Sequence, residues 1–288
     1  MIVGWGEGGH GAAGKGRAGL RLAELVEGIE GARVLRGAEV EVAGLAYDSR
    51  VVRPGDLFLC VPGFRFDGHD FIPEAVARGA VACLVERPGL VPEALGEALV
   101  PRVRQAAPAV ARRFFGDPSR ELRLVGVTGT NGKTTTTHLV RQVLARRGRV
   151  GLIGTVRNVV GGREEPVERT TPEAVDLQRL FRRMRQAGDT HCVMEVSSHA
   201  LALHRVDGCA FHVAVFTNLS PEHLDFHGDL RSYLEAKARL FDLLGEGERG
   251  PQGPKGAVLN ADDPASAEIA RRCRVPVVTF GLGRACDV

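Results

Sequence analysis

The sequence has no apolar run long enough to cross a bilayer, and residues 1–19 lack the apolar core of a secretory signal. We expect this glycine-rich start to be a disordered tail, or the result of a start codon placed too far upstream. The formal net charge is only +3 and is spread along the chain. It therefore gives no reason to expect nucleic acid as the main partner, whereas an anionic small molecule stays possible. A membrane partner is not expected either.

The sequence also has no CxxC pair among its six cysteines, which argues against a zinc site. Four of the cysteines stand in apolar segments, where a free thiol behaves as a small hydrophobic residue. This use of cysteine fits a reducing compartment, so we expect a cytoplasmic protein.

Strands alternate with helices along the chain, which is the pattern of an α/β fold. The 288 residues are enough for two domains, and the breaker at 116–118 marks the expected boundary. We therefore expect a small α/β domain at 20–119 and a second α/β domain with a mostly parallel sheet at 120–288. The last predicted strand is followed by no closing helix, so the second domain is expected to be incomplete.

The predicted elements rest on apolar periodicity and on turn residues. Strands are predicted at 40–47, 57–61, 80–85, 122–127, 151–155, 192–196, 213–217, 257–260 and 275–280. Helices are predicted at 20–28, 71–78, 100–115, 134–147, 177–186 and 233–244, and a polar loop at 245–256.

The most specific motif is GVTGTNGKTT at 126–135, which lies between a predicted strand and a predicted helix. Glycines let backbone N–H groups approach phosphate oxygens, and a helix N-terminus adds positive potential. Lys133 is expected to bind the β- and γ-phosphates of ATP, and Thr134 to offer a hydroxyl to Mg²⁺. The predicted nucleotide-binding residues are Gly129, Thr130, Asn131, Gly132, Lys133, Thr134 and Thr135.

The match to the phosphate-loop pattern is imperfect, because Val127 stands at its first glycine position. The alternative is a plain glycine turn between a strand and a helix. A second segment at 9–16 has similar spacing, but no Ser or Thr follows its lysine, and we interpret it as part of the tail.

Glu195 ends the apolar predicted strand at 192–196. A carboxylate at the C-terminal edge of a parallel strand, beside a phosphate loop, is well placed to bind Mg²⁺. The alternative is a surface glutamate at a strand end.

Further motifs occur along most of the chain, and together with the phosphate loop they make it similar to the Mur ligases of peptidoglycan synthesis. The closest similarity is to the members that add the third amino acid. The DSR and GTNGKTT elements are shared with sister ligases, whereas MEVSSHAL at 194–201 is what points to this group. The matching segments are 48–50, 54–58, 67–71, 129–135, 170–172, 194–201, 217–220, 223–225, 236–241 and 260–264.

The resemblance implies a monomeric, ATP- and Mg²⁺-dependent amide ligase of cell-wall synthesis, and hence of cell shape and division. It implies that ATP phosphorylates the free D-glutamate carboxylate of UDP-MurNAc-L-Ala-D-Glu, and that the amine of a free amino acid attacks the acyl phosphate. Diaminopimelate is the expected amino acid, with lysine as the alternative. Proteins of this type have three domains, and nothing here matches the third, so we expect a fragment or a truncated gene product.

The resemblance also assigns individual residues. His223 joins Glu195 and Thr134 around Mg²⁺, and Lys237 is carbamylated, which turns a cation into an anionic oxygen ligand. Taken alone, His223 would be a turn residue and Lys237 a solvated helix lysine. The expected catalytic residues are therefore Lys133, Glu195, His223 and Lys237.

Further positions match those that bind the precursor. Hydroxyl and guanidinium groups suit carboxylates and sugar oxygens, although threonines before a proline also cap helices. Leu203 and Arg169 depart from members that carry glutamine and asparagine at these positions. The residues matched to the muramoyl-dipeptide part are Thr170, Thr171, Ser197 and Arg205, and Ser49 is matched to UDP.

Other functions stay open at this point. A sister ligase that adds D-Ala-D-Ala shares the phosphate loop, whereas a folate ligase is disfavoured by the DSR and MEVSSHAL segments. A different class is an inactive fragment that binds nucleotide or precursor, and a plain phosphate-loop NTPase is a further alternative.

Overall fold

The computed structural model describes residues 19–245, 255–283 and 285–288. The expected tail up to residue 18, the segment at 9–16 and most of the predicted loop at 245–256 lie outside this part. Two sheets of five and eight strands organise the described chain, together with a two-stranded ribbon. Every strand of the five-stranded sheet precedes Gly116, and every strand of the eight-stranded sheet follows it.

The first part of the chain alternates short strands and helices. Its elements are β1 Leu20–Arg21, α1 Leu22–Val26, β2 Arg33–Arg36, β3 Glu41–Val42, β4 Gly44–Ala46, β5 Asp56–Leu59, α2 Ile72–Ala77, β6 Ala82–Val85, β7 Gly96–Leu99 and α3 Val103–Phe114.

The second part begins after a single 3₁₀ turn. Its elements are β8 Arg123–Thr128, α4 Lys133–Leu144, β9 Val150–Ile153, β10 Asn158–Val160, β11 Arg163–Glu165, α5 Ala174–Gln186, β12 His191–Glu195, α6 Ser198–Ala202, β13 Phe211–Phe216, α7 Leu224–His227, α8 Leu230–Gly245, β14 Gly256–Asn260, α9 Ala265–Arg272 and β15 Val277–Phe280.

The five-stranded sheet has the order β2-β7-β6-β5-β4, in which β2 is antiparallel to its neighbour and the other pairs are parallel. One face packs with α1 and α3 around a core that includes Leu22, Val110 and Phe114. On the other face, Phe58 and Ile72 belong to a second apolar cluster. Apolar side chains on both faces explain why β5 and β6 read as continuous hydrophobic runs.

The eight-stranded sheet has the order β11-β10-β9-β12-β8-β13-β14-β15. The six strands from β9 to β15 in this order run parallel, and β10 and β11 form an antiparallel hairpin at one edge. The core on one face includes residues of α5, α8 and α9, while valines of the other face pack with α4. Because parallel strands end at the same edge, the loops after β8, β9, β12 and β13 converge there.

The two parts pack directly against each other through α3 and α5. Val175 of α5 lies in the apolar core that contains Phe114 of α3. The guanidinium of Arg182 donates to the carbonyls of Phe115 and Gly116 at 2.8 and 3.0 Å. These contacts fix the position of one sheet relative to the other.

The predicted α/β fold with a mostly parallel second sheet is confirmed. Some predicted elements are wrong in detail: residues 20–21 form a strand rather than the start of a helix, and the predicted strand at 40–47 breaks into β3 and β4 of different sheets. The prediction omitted β2, β7, the β10–β11 hairpin, α6, α7 and α9.

Strand β7 shows why a search for hydrophobic patterns misses some strands. It contains Glu97, whose side chain is 0% exposed and pairs with Arg36 at 2.6 Å. It begins with Gly96, where an added Cβ would lie 2.9 Å from the Cβ of Ala82. A buried carboxylate paired with a partly exposed arginine, and a glycine where two strands approach closely, thus stand in place of the apolar residues expected of a strand. No helix in the described residues is both long and apolar enough to span a bilayer.

Candidate functional site

The loop between β8 and α4 is built on glycine conformations. Gly132 precedes the helix with φ +83°, and Gly129 has φ +149°. A Cβ at Gly129 would lie 1.9 Å from the hydroxyl oxygen of Thr217, so only glycine lets the loop pack against the end of β13. The Thr217 hydroxyl in turn donates to the carbonyl of Asn131 at 2.7 Å. The loop is therefore anchored to the neighbouring strand.

Lys133 is folded back onto this loop. Its ammonium donates to the carbonyls of Gly129 and Thr130 at 2.8 and 2.7 Å. Burial lowers the pKa of Lys133, while the carboxylates of Glu195 and Glu222 act in the opposite direction. The cation thus stands at the start of α4, where the helix N-terminus also attracts anions.

Glu195 ends β12 and is almost fully buried, with 1% of its surface exposed. Both of its carboxylate oxygens accept from the Thr134 hydroxyl at 3.0 Å. They also accept from the N–H of Thr155 at 2.8 Å and from its hydroxyl at 3.1 Å. The carboxylate is therefore not the solvated strand-end group of the alternative interpretation, because it joins three converging loops.

These loops enclose a cleft of about 290 Å³. Thr155 and Glu222 were not among the predicted residues, although Thr155 lies just after β9, at the sheet edge where such residues are expected. The cleft is lined by Thr130, Asn131, Gly132, Lys133, Thr134, Thr135, Thr155, Thr170, Glu195, Ser197, Glu222 and His223.

The donor set at this cleft fits Mg²⁺. The residues that the structure describes contain no group of three His, Cys, Asp or Glu side chains able to hold a metal by themselves. Thr134 and Glu195 nevertheless offer adjacent hydroxyl and carboxylate oxygens, and Mg²⁺ binds through few protein oxygens together with water and phosphate. His223 lines the same cleft with its side chain 46% exposed, and its role as a metal ligand stays a prediction.

Lys237 is not the solvated helix lysine of the alternative interpretation, because only 1% of its surface is exposed. It does not line the cleft, and its ammonium lies 4.2 Å from the ring centre of Tyr233. Among the described residues it has neither a hydrogen-bond nor an ion-pair partner. Burial and, second, the charge of Lys133 lower the pKa of Lys237 to about 7.

Three histidines cluster beside the cleft. The ring of His199 lies 4.8 Å from that of His223 and 5.5 Å from that of His227. His227 Nε2 shares a 3.0 Å hydrogen bond with the Ser198 hydroxyl. Burial and, second, His199 lower the pKa of His227 to about 4. No role was predicted for His199, which lies in the segment 194–201, or for His227, which lies outside the matching segments.

A second cleft of about 170 Å³ lies between the two parts of the chain. Arg205 lines it and donates to the carbonyl of Thr171 at 3.2 Å. The Thr171 hydroxyl donates to the carbonyl of Glu195 at 2.9 Å and accepts from the N–H of Ser197 at 3.1 Å. Thr171 therefore links the two clefts through direct hydrogen bonds.

Ser49 stands apart from the other predicted site residues. It lies in the first part of the chain and lines neither cleft. Its side chain is buried, and its hydroxyl donates to Glu74 at 2.7 Å. Its assignment to UDP binding stays a prediction, and a ligand would have to compete with Glu74 for this hydroxyl.

Comparison with known proteins gives matches along most of the chain. Residues 127–287 match the family model of the Mur ligase middle domain, and residues 41–120 match that of the Mur ligase family, catalytic domain. The UDP-N-acetylmuramoyl-L-alanyl-D-glutamate--2,6-diaminopimelate ligase of Geobacillus thermodenitrificans is 47% identical over 270 residues, which cover 93% of this chain and 55% of that protein. The protein of the same name from Geobacter metallireducens is 46% identical and covers 91% and 52%.

Solved structures of Mur ligases also match most of the chain. A structure of UDP-N-acetylmuramoyl-L-alanyl-D-glutamate--2,6-diaminopimelate ligase has a TM-score of 0.75 at 30% identity and covers 92% of this chain and 53% of its own. MurF ligase from Thermotoga maritima in complex with ADP has a TM-score of 0.57 at 27% identity, with coverages of 84% and 51%. The chain spans about half the length of the relatives that it matches.

Proposed function

The chain belongs to the Mur ligase family, and we propose that it supplies the nucleotide- and precursor-binding part of a ligase that joins diaminopimelate to UDP-N-acetylmuramoyl-L-alanyl-D-glutamate. The names of the relatives support this pair of substrates. The observation that carries the proposal is the cleft in which Lys133, Thr134 and Glu195 meet at one edge of a parallel sheet. Lysine in place of diaminopimelate is the alternative amino acid.

ATP is the proposed nucleotide, and the ADP bound to the MurF ligase of Thermotoga maritima supports this choice. On binding, Lys133 would exchange the carbonyls of Gly129 and Thr130 for phosphate oxygens. The N–H groups at the start of α4 would hold the same phosphates. The ammonium of Lys133 and these N–H groups would stabilise the negative charge of the phosphoryl group during transfer.

Thr134 and Glu195 would hold Mg²⁺, with His223 and a carbamate on Lys237 as the further proposed ligands. When bound, Mg²⁺ offsets the charge of the phosphates. The Thr134 hydroxyl, which now donates to Glu195, would turn its oxygen towards the metal. Thr155 would keep the carboxylate oriented through its N–H and hydroxyl.

The environment of Lys237 supports its carbamylation. With a pKa of about 7, a large share of its amine is unprotonated at neutral pH. The amine nitrogen would bond to the carbon of CO₂ and release one proton to solvent, leaving a carbamate anion. The nearby charge of Lys133, which opposes an ammonium at this position, would then stabilise the anion.

Thr170, Thr171, Ser197 and Arg205 are proposed to bind the peptide end of the precursor. Thr170 and Ser197 line the cleft at the phosphate loop, which we call the nucleotide cleft, and Arg205 lines the cleft between the two parts of the chain. A carboxylate held between them would receive the γ-phosphoryl group, giving an acyl phosphate and ADP. Attack by the amine of the amino acid would then form the amide and release phosphate. The protein binds, orients and neutralises charge, so the reaction requires no side-chain nucleophile.

Calorimetric titration and ADP release test this proposal. The 288-residue chain would be titrated with ADP and with UDP-MurNAc-L-Ala-D-Glu in the presence of Mg²⁺, and ADP release would be followed in bicarbonate with diaminopimelate, lysine or neither. We expect both ligands to bind. Release that depends on one amino acid would identify that substrate, and release that depends on D-Ala-D-Ala with the tripeptide precursor would indicate the sister ligase.

Two other results would change the assignment. Binding without release would identify an inactive binding segment of a ligase, whereas hydrolysis without any UDP precursor would indicate a plain NTPase. Loss of both kinds of binding would overturn the proposal.

A further inference from the structure

Glu173 lies in the cleft between the two parts of the chain, surrounded by three arginines. Its carboxylate pairs with Arg205 at 2.9 Å and with Arg104 at 3.7 Å, and it accepts a hydrogen bond from Arg169. Only 16% of the Glu173 side chain is exposed. Arg104 comes from α3 in the first part, and the other two arginines come from the second part. The carboxylate is therefore the meeting point of cations from both parts.

This cluster has more positive charge than Glu173 can balance. Three guanidinium groups face one carboxylate. Burial is the main cause that lowers the pKa of Arg205; the charge of Glu173 opposes it, and the charges of Arg169 and Arg104 lower this pKa further. The Nε of Arg205 is buried and has no hydrogen-bond partner among the residues described. A buried donor without a partner costs free energy, so a ligand anion that supplies an acceptor for this donor would bind favourably to the cluster.

The shape of the cleft indicates what kind of anion fits. Its walls include the apolar side chains of Leu59, Val61 and Val175 beside the arginines. Arg205 also donates to Thr171, which is bonded to the Glu195 strand end. A ligand that extends from the nucleotide cleft would thus reach the arginines with a carboxylate and place a short aliphatic part on the apolar wall.

We propose that Glu173 is an internal substitute for a ligand carboxylate, which displaces it from the arginines on binding. The inference rests on the proposed function, because the precursor ends in D-glutamate with two carboxylates, of which only one is phosphorylated. The other carboxylate is the displacing group. Arg104 and Arg169 are then specificity-determining residues in addition to Arg205. Arg169 is 51% exposed and can follow the ligand without opening the core.

A Glu173→Gln variant tests the displacement, because the amide keeps the shape of the side chain but no longer competes as an anion. We expect it to bind UDP-MurNAc-L-Ala-D-Glu about three- to tenfold more tightly than the wild-type chain in calorimetric titrations. Glu165→Gln is the matched control, since Glu165 also pairs with an arginine, Arg183, but lines neither cleft. Unchanged ADP binding would show that both variants are folded.

The chemistry of the ligand gives the second arm of the test. Two mono-amides of the precursor, each with one terminal carboxylate converted to a carboxamide, would be titrated into the wild-type chain and Glu173→Gln. The gain in affinity is expected to vanish for one of the two amides only. Weaker or equal binding of the intact precursor by a folded Glu173→Gln would overturn the inference. If neither the wild-type chain nor Glu173→Gln binds the precursor or its amides while both still bind ADP, the proposed function is overturned, and not only the displacement of Glu173.

Arg104→Gln tests the contribution of the first part of the chain. We expect about tenfold weaker binding of the intact precursor and a smaller ratio between its affinity and that of the discriminating amide. Arg102→Gln removes the same charge from an exposed position just before α3 and is the matched control. Equal affinities of the two variants for the precursor would contradict the role of Arg104.

Discussion

The hydroxyl of Thr134 donates to both carboxylate oxygens of Glu195 at 3.0 Å, which joins the first turn of α4 to the end of β12. This pair brings together the residue types expected of a magnesium site from two segments that lie 61 positions apart.

Replacement of Glu195 by glutamine is expected to remove the effect of Mg²⁺ on nucleotide binding. The amide can still accept from Thr155, but it lacks the charge that attracts a divalent cation. ADP affinity would be measured with and without Mg²⁺, and in the variant the two affinities should differ by no more than about twofold. Glu164→Gln, an exposed change on β11, is the control. An enhancement equal to that of the wild-type chain would exclude Glu195 as a metal ligand.

Lys133→Met is expected to weaken ADP binding by about tenfold or more. The variant lacks the ammonium that now donates to the carbonyls of the loop and would donate to phosphate oxygens when ADP is bound. Arg146→Met removes one cation from an exposed position just after the same helix. Calorimetric titration of both variants separates a local effect from one of net charge. Similar affinities for the two variants would show that Lys133 does not contact phosphate.

Lys237 is expected to give a carbamate signal in ¹³C NMR when the chain is placed in ¹³C-bicarbonate. Its pKa of about 7 lies below the ordinary lysine value of 10.5, so the reactive neutral amine increases as the pH rises through 7. At constant dissolved CO₂ the signal should therefore grow between pH 6 and pH 8. Lys237→Met should lack the signal, and Lys255→Met should keep it. A signal that persists in Lys237→Met would assign the carbamate to another amine.

His227 is expected to make the folded state less stable at mildly acidic pH. Its pKa in the folded chain is about 4, below the value of 6.5 for an unperturbed histidine, so the unfolded state binds the proton first as the pH falls. The contribution of His227 to stability is therefore full above about pH 6.5 and decreases towards pH 4. His227→Gln keeps a side-chain partner for Ser198 but does not titrate.

Urea unfolding between pH 4.5 and pH 7.5 measures this difference. The wild-type chain should lose more free energy of unfolding over this range than His227→Gln does. Parallel pH profiles would show that His227 has a normal pKa in the folded protein. The other histidines with lowered pKa values, such as His199, are present in both chains and cancel in the comparison.

The sequence predicted those parts of the fold in which packing is apolar and local. Strands such as β8 and β12 are buried throughout, so their hydrophobic runs identify them. The hairpin β10–β11 was not predicted, because it is short, contains the buried Asn158 and ends in charged residues. Its identity as a pair of strands depends on pairing with β9, which no local pattern reveals.

In the site, too, residues of local motifs could be predicted, whereas contacts between distant segments could not. Lys133, Thr134 and Glu195 belong to contiguous motifs, so the sequence predicts them as ligands of nucleotide and metal. Thr155 was missed because its partner Glu195 lies 40 residues further along the chain. Neither the arginine cluster around Glu173 nor the burial of Lys237 could be predicted, because both depend on how distant segments pack in three dimensions.

Val175 has a consequence for how the molecule loses its structure on heating. It belongs to α5 of the second part, yet its side chain is buried in the core of the first part. Neither core can open fully without exposing apolar surface of the other. Differential scanning calorimetry should therefore record one endotherm for the chain, with equal calorimetric and van't Hoff enthalpies, rather than two separate melting steps.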